Sequence, residues 1–158
     1  MTTPDANESV ITPQIEIPEG FRPGKGPYSR HIGPLLYKRE IDENGRKTGI
    51  VGVMLQEQHI GGNNRGHGGL LLTILDEAMG MNAALHRDST PVVTVSMQTN
   101  FIAATLVGQF LYATATVSQT TTTMAFVEGK AWCGDTLVGT ANGVWKYLKK
   151  PEKKPAAN

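Results

Sequence analysis

The spacing of apolar residues predicts one long helix in the middle of the chain, from about Gly68 to His86. One stripe repeats at intervals of three or four residues and is typical of a buried helix face: Leu71, Ile74, Leu75, Ala78, Asn82 and Leu85. The opposite stripe is made mainly of small residues, where a solvent-facing helix would carry Lys and Glu: Gly69, Thr73, Asp76, Gly80, Ala83 and Arg87. This small-residue stripe would allow another backbone to approach closely.

Strand patterns lie on both sides of the predicted helix. Two precede it, at 35–41 and 49–56, and the turn dipeptide Asn44-Gly45 lies between them. Four follow it, at 91–101, 109–118, 122–132 and 136–147. Short connections favour antiparallel neighbours, so we expect an α+β fold with one helix against one antiparallel sheet. One helix cannot cover both faces of such a sheet, which makes a partner subunit the expected cover.

The first of the four later strands alternates strictly between two kinds of side chain. One predicted face carries Val93, Val95, Met97, Thr99 and Phe101, and the other carries Thr94, Ser96, Gln98 and Asn100. We expect the ordered domain to span residues 34–148. Residues 1–33 hold five of the nine prolines and predict an irregular Pro/Gly-rich arm, while 149–158 predict a Lys-rich flexible tail.

Composition narrows the classes of protein that remain. With 39% hydrophobic and 18% charged residues, the chain is expected to fold as one soluble domain. Its net charge is only +1, so we expect neither nucleic-acid nor membrane binding. No secretory signal pattern is found at the start, and the single cysteine, Cys133, fits a cytoplasmic protein without an internal disulfide.

The glycine-rich loop before the helix is the first candidate for chemistry. The first N–H groups of a helix have no partner inside it and carry a partial positive charge. Because Gly68 and Gly69 have no side chains, a ligand oxygen could reach these groups, as in an oxyanion hole. The glycines could equally make only a tight turn, and the loop leaves both interpretations open. His59 and His67 are too isolated to predict a zinc site.

Asp76 is the second candidate. It follows His67 by nine residues, which on a helix is about 13 Å and half a revolution. The helix entrance and Asp76 therefore point in opposite directions within one chain, and they could share a site only if a second chain brought its own helix alongside. The alternative is an ordinary exposed aspartate, a description that fits the neighbouring Glu77 better.

His67-Gly68-Gly69 followed by Leu75-Asp76-Glu77-Ala78 resembles the HGG…LxDxA signature of hotdog-fold acyl-CoA thioesterases, most closely the phenylacetyl-CoA thioesterase branch. The strand at Val93–Met97, the loop ending at Gly108 and the closing strand around Trp145 are also similar to the family. The resemblance covers about residues 35–147. It implies a hotdog fold, in which an antiparallel sheet wraps around one long central helix.

The resemblance also implies roles for individual residues. Gly68 would donate its backbone N–H to the thioester carbonyl, and Asp76 of the other subunit would act as nucleophile or general base. Thr94 would help to orient water or the carboxylate, and His67 would shape the loop. Substrate-binding positions would be His59, Asn64, Arg65 and Gly69. The resemblance implies a homodimer or dimer of dimers acting on acyl-CoA, with no cofactor, since CoA is part of the substrate.

One departure from the family pattern concerns H-x-N-x-x-G-x-x-H-G-G. Gly61 stands where the family has Asn, and Asn64 stands where it has Gly. In related enzymes that Asn helps to hold the carbonyl or the water, so Asn63 or Asn64 would have to replace it. Otherwise the activity would be weaker or directed at another substrate.

Several functions remain open at this stage. The first is hydrolysis of an acyl-CoA thioester, with Arg65, Arg87 and Lys130 as candidates for the CoA phosphates and an acyl pocket walled by Met79, Met81, Phe101 and Phe126. The second is an acyl-CoA-binding hotdog protein that does not cleave its ligand. A hotdog dehydratase is less favoured because no second His or acid is placed for that reaction. A dimeric interaction module is the remaining alternative.

Overall fold

The computed structural model describes residues 16–149, and this part of the chain forms two α-helices and seven strands. In chain order they are β1 (Arg22–Pro23), α1 (Pro27–Ile32), β2 (Leu36–Ile41), β3 (Lys47–Met54), α2 (Gly68–His86), β4 (Val92–Phe101), β5 (Phe110–Thr120), β6 (Met124–Cys133) and β7 (Thr136–Tyr147). A short 3₁₀ helix, Glu57–His59, lies between β3 and α2.

All seven strands join one antiparallel sheet in the order β1-β2-β3-β5-β6-β7-β4. Strand β4 is at one end and pairs only with β7, so the structure gives its other edge no partner within residues 16–149. This arrangement of an antiparallel sheet around one long helix is the predicted α+β fold. The bounds of α2 and β7 coincide with those expected from the sequence.

Helix α2 packs its predicted apolar stripe against the sheet. Every member of that stripe is buried, and the core also takes in buried side chains from the strands: Val51, Val53, Leu111, Val127, Val138 and Trp145. Helix and sheet approach closely because small residues lie between them. A Cβ atom at Gly49 would come within 2.5 Å of Met81 Sδ, so a larger residue at this position would have to displace the Met81 side chain.

Asn82 is the one polar member of the buried stripe, and its hydrogen bonds explain its burial. Its amide Nδ2 donates to the Gly49 carbonyl at 2.8 Å, and its Oδ1 accepts from the Gly49 N–H at 3.0 Å. Nδ2 also donates to the Ala78 carbonyl at 2.8 Å. The side chain therefore bonds both backbone groups of a β3 residue, and no cost of an unpaired buried amide arises.

The small-residue stripe of α2 is only partly open. Ala83 is fully buried, and Gly80 faces the indole of Trp145, to which an added Cβ would come within 3.2 Å. The expectation that the whole stripe lies free for another backbone is wrong at this end, because the protein's own sheet covers it. At the other end, Gly69, Thr73 and Asp76 remain partly exposed.

The arm predicted over 1–33 is more regular than its composition indicates. Residues 22–23 form β1 against β2, and α1 starts with Pro27 at its first position, where the missing N–H of proline costs nothing. Residues 1–15 of this arm and 150–158 of the Lys-rich tail lie outside the described residues. The domain boundaries themselves remain predictions.

Strand β4 departs from strict alternation at a bulge. Thr94 pairs with Trp145 and Ser96 pairs with Val144, so Val95 is an extra residue in the ladder. The bulge resets the alternation, and Thr94 and Met97, predicted on opposite faces, both turn toward α2. Val93 and Val95 are left exposed, at 45% and 54%.

Candidate active site

The glycine loop is held in place by backbone hydrogen bonds on both sides of its tip. Gly61 N–H donates to the Arg65 carbonyl at 2.8 Å, and Gly66 N–H donates to the Thr105 carbonyl at 2.8 Å. At the tip Asn64 takes a left-handed conformation with φ of 52°, which Asn tolerates better than most residues. Asn64 thus adopts a conformation that glycine adopts freely. This explains how Asn can stand where the family pattern has Gly.

His59 anchors the loop through hydrogen bonds of its buried side chain and its backbone. Its ring is 4% exposed, Nδ1 accepts from the Gln56 N–H at 2.9 Å, and Nε2 bonds the Ile32 carbonyl at the end of α1. His59 also accepts the His67 N–H on its own carbonyl at 2.8 Å. With both ring nitrogens bonded, His59 connects the N-terminal segment to the loop, and the structure does not bring it to the surface of a cleft.

His67 caps helix α2. Its Nδ1 accepts the Gly69 N–H at 2.9 Å, so a neutral ring carries its proton on Nε2. The expectation that both glycine amides are open to a ligand is therefore wrong for Gly69, whose N–H already has an acceptor. Gly68 is the first helical residue, and its N–H has no acceptor within the helix. No other described residue accepts it either.

A cleft of 360 Å³ opens beside Gly68. Its walls come from the loop, from the first turn of α2 and from the segment that follows β4: Arg65, Gly66, His67, Leu71, Phe101, Ile102, Ala103, Ala104 and Thr105. Phe101 is 58% exposed and lies so near that a Cβ at Gly68 would come within 3.0 Å of its ring. The cleft thus combines an unpaired amide at a helix N-terminus with apolar walls, which suits a carbonyl oxygen that gains negative charge.

Asp76 lies in a different depression, an open groove of 430 Å³. We call it the Asp76 groove; its other walls are Tyr28, Leu72, Thr73, Glu77 and Met97. Thr94 Oγ1 donates to Asp76 Oδ1 at 2.6 Å and fixes the carboxylate against β4. No residue lines both this groove and the cleft at Gly68. Within one chain, the two candidate groups do not meet.

Glu77 is not the ordinary exposed carboxylate that its position suggested. It is half-buried, and Tyr37 donates its hydroxyl to Glu77 Oε2 at 3.1 Å. Burial raises the pKa of Glu77; the Tyr37 hydrogen bond works against this, and the charge of Asp76 adds to it. Burial also raises the pKa of Tyr37 to about 12, helped by the charge of Glu77. The sequence offered no signal for this pair, because the two residues are 40 positions apart.

The residues suggested for CoA phosphates and for the acyl pocket are scattered. Arg65 lines the cleft at Gly68, but Arg87 donates to the carbonyls of Thr121 and Thr122 at 2.7 and 2.8 Å and stacks over Tyr147. Arg87 therefore has a structural role, and Lys130 lines none of the cavities described here. Of the four suggested pocket walls, only Phe101 borders the cleft. Met79 is buried in the core, Met81 contacts Gly49, and Phe126 faces the outer surface of the sheet.

Tyr28 is a site residue that the sequence did not reveal. It extends from α1, and its hydroxyl shares a hydrogen bond of 2.9 Å with Thr73 Oγ1, which donates to the Gly69 carbonyl at 3.0 Å. Tyr28 thereby forms one wall of the Asp76 groove. Within residues 16–149 no cluster of His, Cys, Asp and Glu could hold a metal ion. Over the same residues, no helix combines the length and apolar character that crossing a bilayer requires.

The central part of the chain matches a known protein family. The model of the thioesterase superfamily matches residues 63–140, a stretch that contains Gly68, Asp76 and Thr94. The predicted resemblance to hotdog-fold thioesterases is thus confirmed. The thioesterase-superfamily match also includes the loop tip at Asn64 and most of the sheet.

Relatives of this hotdog domain extend the comparison beyond the matched segment. The "Putative esterase PA0474" of Pseudomonas aeruginosa is 29% identical over 134 residues, which is 83% of this chain and 97% of that protein. The solved structure of the conserved protein PA5202 from the same species superposes with a TM-score of 0.67 at 22% identity, covering 78% of this chain and 94% of that one. The Escherichia coli PaaI protein of the phenylacetic acid degradation operon gives a TM-score of 0.58 at 19% identity over 64% of this chain and 72% of PaaI.

One further structure was solved with CoA. The BH2602 protein of Bacillus halodurans is 25% identical, with a TM-score of 0.60 over 72% of this chain and 74% of that one. Together these comparisons establish the hotdog fold and support thioester hydrolysis as the general chemistry of this domain.

Proposed function

We propose that this protein hydrolyses an acyl-CoA thioester to a free acid and CoA, at a site shared by two copies of the chain. The observation that carries the proposal is the placement of Gly68 and Asp76. An unpaired helix N-terminal amide and a carboxylate held by Thr94 lie in separate depressions, within a domain that matches the thioesterase superfamily.

Gly68 supplies the electrostatic part of the reaction. Attack on the thioester carbonyl places negative charge on its oxygen. A backbone N–H at a helix N-terminus is a fixed donor for that charge and needs no rearrangement as the charge develops. The His67 ring occupies the Gly69 N–H, so the Gly68 N–H is the donor that remains for the thioester oxygen.

Asp76 of the other copy supplies the nucleophile or the general base. As a base it takes a proton from water that attacks the carbonyl; as a nucleophile it forms an anhydride with the acyl group, which water then cleaves. CoA leaves as the thiol in either case. Thr94 donates to one carboxylate oxygen and leaves the other to face the substrate or the water.

The free edge of β4 supports a shared site. This edge and the segment after it expose four large apolar side chains, which a monomer would leave in water: Val93, Val95, Phe101 and Ile102. An unpaired apolar edge strand is a template for another strand. Pairing of β4 with β4 of a second copy would bury these residues and bring the two α2 helices side by side. We propose a homodimer on this basis, or a dimer of dimers.

We place the CoA portion of the substrate near Arg65 because of the positive charge of that side chain. Arg65 is exposed at the edge of the cleft beside Gly68, where it can reach a phosphate of CoA. CoA enters as part of the substrate, so the proposal needs no separate cofactor. That the relative from Bacillus halodurans was solved with CoA supports a CoA ester as the substrate.

Gly61 favours a second candidate function, binding of acyl-CoA without cleavage. A Cβ at Gly61 would lie 3.4 Å from the His67 ring, so this position borders the capping histidine but carries no side-chain amide to hold water or the thioester carbonyl. No other described residue bonds the side chain of Asn63 or Asn64, either of which could take over that task. If neither does, the protein would retain its ligand intact.

The experiment measures release of free thiol from a panel of acyl-CoAs by wild type and by Asp76→Asn. We expect Asp76→Asn to lose about two orders of magnitude in turnover with its fold intact, because it loses the base or nucleophile while keeping the side-chain size. Asp135→Asn, the same change in the exposed β6–β7 turn, is the matched control. Equal turnover by Asp76→Asn and wild type would overturn the catalytic assignment. Stabilisation by acyl-CoA without thiol release from wild type would favour the second candidate.

A further inference from the structure

A larger cavity lies next to the Asp76 groove. It has a volume of 740 Å³ and is lined by the segment 20–29, by β2 and by Glu77 of α2. We call it the arm cavity; its side-chain walls include Arg22, Lys25, Tyr28, Ser29, Tyr37, Arg39 and Glu77. Tyr28 and Glu77 also line the Asp76 groove. A thioester bound at Asp76 therefore has a neighbouring space for the far end of its acyl group.

The inner wall of the arm cavity is polar. Glu77 accepts one hydrogen bond, from Tyr37 to Oε2, and its Oε1 accepts none from a described side chain. No Lys, Arg or His of residues 16–149 forms a salt bridge with it. Ser29, 5% exposed, also lines the cavity, and its hydroxyl lies close to Tyr37. Oε1 of Glu77 therefore retains hydrogen-bonding capacity that an apolar ligand could not satisfy.

The charges around the cavity restrict the ligand further. Arg22, Lys25 and Arg39 are exposed at its rim and disfavour a cationic group that passes them. Glu77 disfavours an anionic group at the inner wall. A neutral hydroxyl can donate to Glu77 without bringing a second charge into the cavity, so it fits both conditions.

We propose that the arm cavity receives the distal end of the acyl group and that Glu77 selects acyl groups that carry a hydroxyl there. The substrate class is thus hydroxyacyl thioesters. This inference rests on the proposed thioester hydrolysis and assigns Glu77 to specificity. A fully apolar acyl group would cover Glu77 and leave Oε1 of its carboxylate without a hydrogen-bond partner, which costs binding free energy.

The test compares matched pairs of substrates: hexanoyl-, octanoyl- and decanoyl-CoA against their ω-hydroxy forms. For wild type we expect kcat/KM to be about tenfold higher for the hydroxylated member at the chain length that reaches Glu77. Glu77→Met removes the acceptor and should bring this ratio to one or below. Glu77→Gln keeps a neutral acceptor and should restore part of the preference. Glu128→Met is the matched control, since Glu128 also accepts a hydroxyl, from Ser118 at 3.1 Å, but lies outside the arm cavity.

The outcomes separate this inference from the proposed function. Equal hydrolysis of both members by wild type at every chain length overturns the selection by Glu77 and leaves thioester hydrolysis intact. A preference that survives in Glu77→Met also overturns it. If wild type cleaves no acyl-CoA, hydrolysis is refuted, and calorimetry with the Asp76→Asn protein decides the inference instead. Binding about tenfold tighter for the hydroxylated member supports it, and equal binding overturns it.

Discussion

Thr94 Oγ1 donates a hydrogen bond to Asp76 Oδ1 at 2.6 Å, across 18 residues of sequence. A bond this short to a carboxylate is typical of a charge-assisted donor. It joins β4 to α2 at the place where the β4 bulge turns Thr94 toward the helix. The orientation of the proposed catalytic carboxylate is therefore set by the edge strand that we expect to form the dimer.

This contact predicts that Thr94 positions the carboxylate. Thr94→Val keeps the shape of the side chain and removes the donor, so kcat should fall about tenfold while KM changes little. Thr94→Ser restores a hydroxyl and should recover most of the rate. Steady-state kinetics on one acyl-CoA provides the measurement. Loss of activity in both variants, or in neither, would contradict a positioning role for the hydroxyl.

A second prediction concerns the amide of Gly68. Gly68→Ala adds a methyl group at the cleft, and we expect turnover to fall by about two orders of magnitude, as when one oxyanion donor is lost. Gly62→Ala is the control, because nothing lies within 4 Å of a Cβ there. Its turnover should stay near that of wild type.

The Phe101 ring provides a further check on that result. A methyl at Gly68 would press on this ring, so the single variant alone cannot separate a displaced Phe101 from a blocked carbonyl. Phe101→Leu gives the methyl more room. We expect the double variant to remain as slow as Gly68→Ala; recovery of turnover in the double variant would mean that the carbonyl binds elsewhere.

A third prediction concerns assembly. Sedimentation at micromolar concentration should show no monomer, because an isolated chain would leave the β4 edge and its apolar side chains in water. Val95→Lys should shift the protein toward monomer and reduce thioester hydrolysis with it. Ile41→Lys is the control: Ile41 is 73% exposed on β2, near the opposite end of the sheet. A monomeric wild type would refute the shared site.

A fourth prediction follows from the raised pKa of Glu77. Burial makes the folded protein hold the Glu77 proton to higher pH than the unfolded chain does, so the carboxylate lowers stability as pH rises above its ordinary value of 4.5. Glu77→Gln cannot ionise. Its melting temperature relative to wild type should therefore be higher at pH 7 than at pH 4. Thermal melts at both values provide the measurement, and a difference independent of pH would contradict the raised pKa.

The sequence was sufficient for elements whose signals are local. The bounds of α2 follow from its apolar stripe and from the glycines that begin it, and β7 follows the turn at Gly134-Asp135. Helix α1 was missed because it is only six residues long and the prolines and glycines on both sides of it are typical of a loop. Pro27 is nevertheless compatible with a helix start. The bulge at Val95 has no residue signature and depends on pairing with β7.

The candidate site also contains some residues that the sequence predicted and others that it did not. Gly68, Asp76 and Thr94 were predicted from a motif, and the structure shows Thr94 bonded to Asp76. The role of His59 as an anchor, the occupation of the Gly69 amide and the Tyr37–Glu77 pair depend on contacts between distant segments. Spacing along one chain carries no information about such contacts, which is why Glu77 was expected to be an ordinary exposed side chain.

The double hydrogen bond between Asn82 and the Gly49 backbone has a consequence for how α2 can sit on the sheet. Displacing α2 along its axis by one turn, about 5.4 Å, would move Asn82 away from Gly49. With Asn82 in place, that displacement would strand a buried amide and both backbone groups of Gly49. Asp76 lies six residues earlier on the same rigid helix, about 9 Å along the axis. Asn82, which lines neither the cleft at Gly68 nor the Asp76 groove, would thus fix the height at which the carboxylate faces the second copy that we propose.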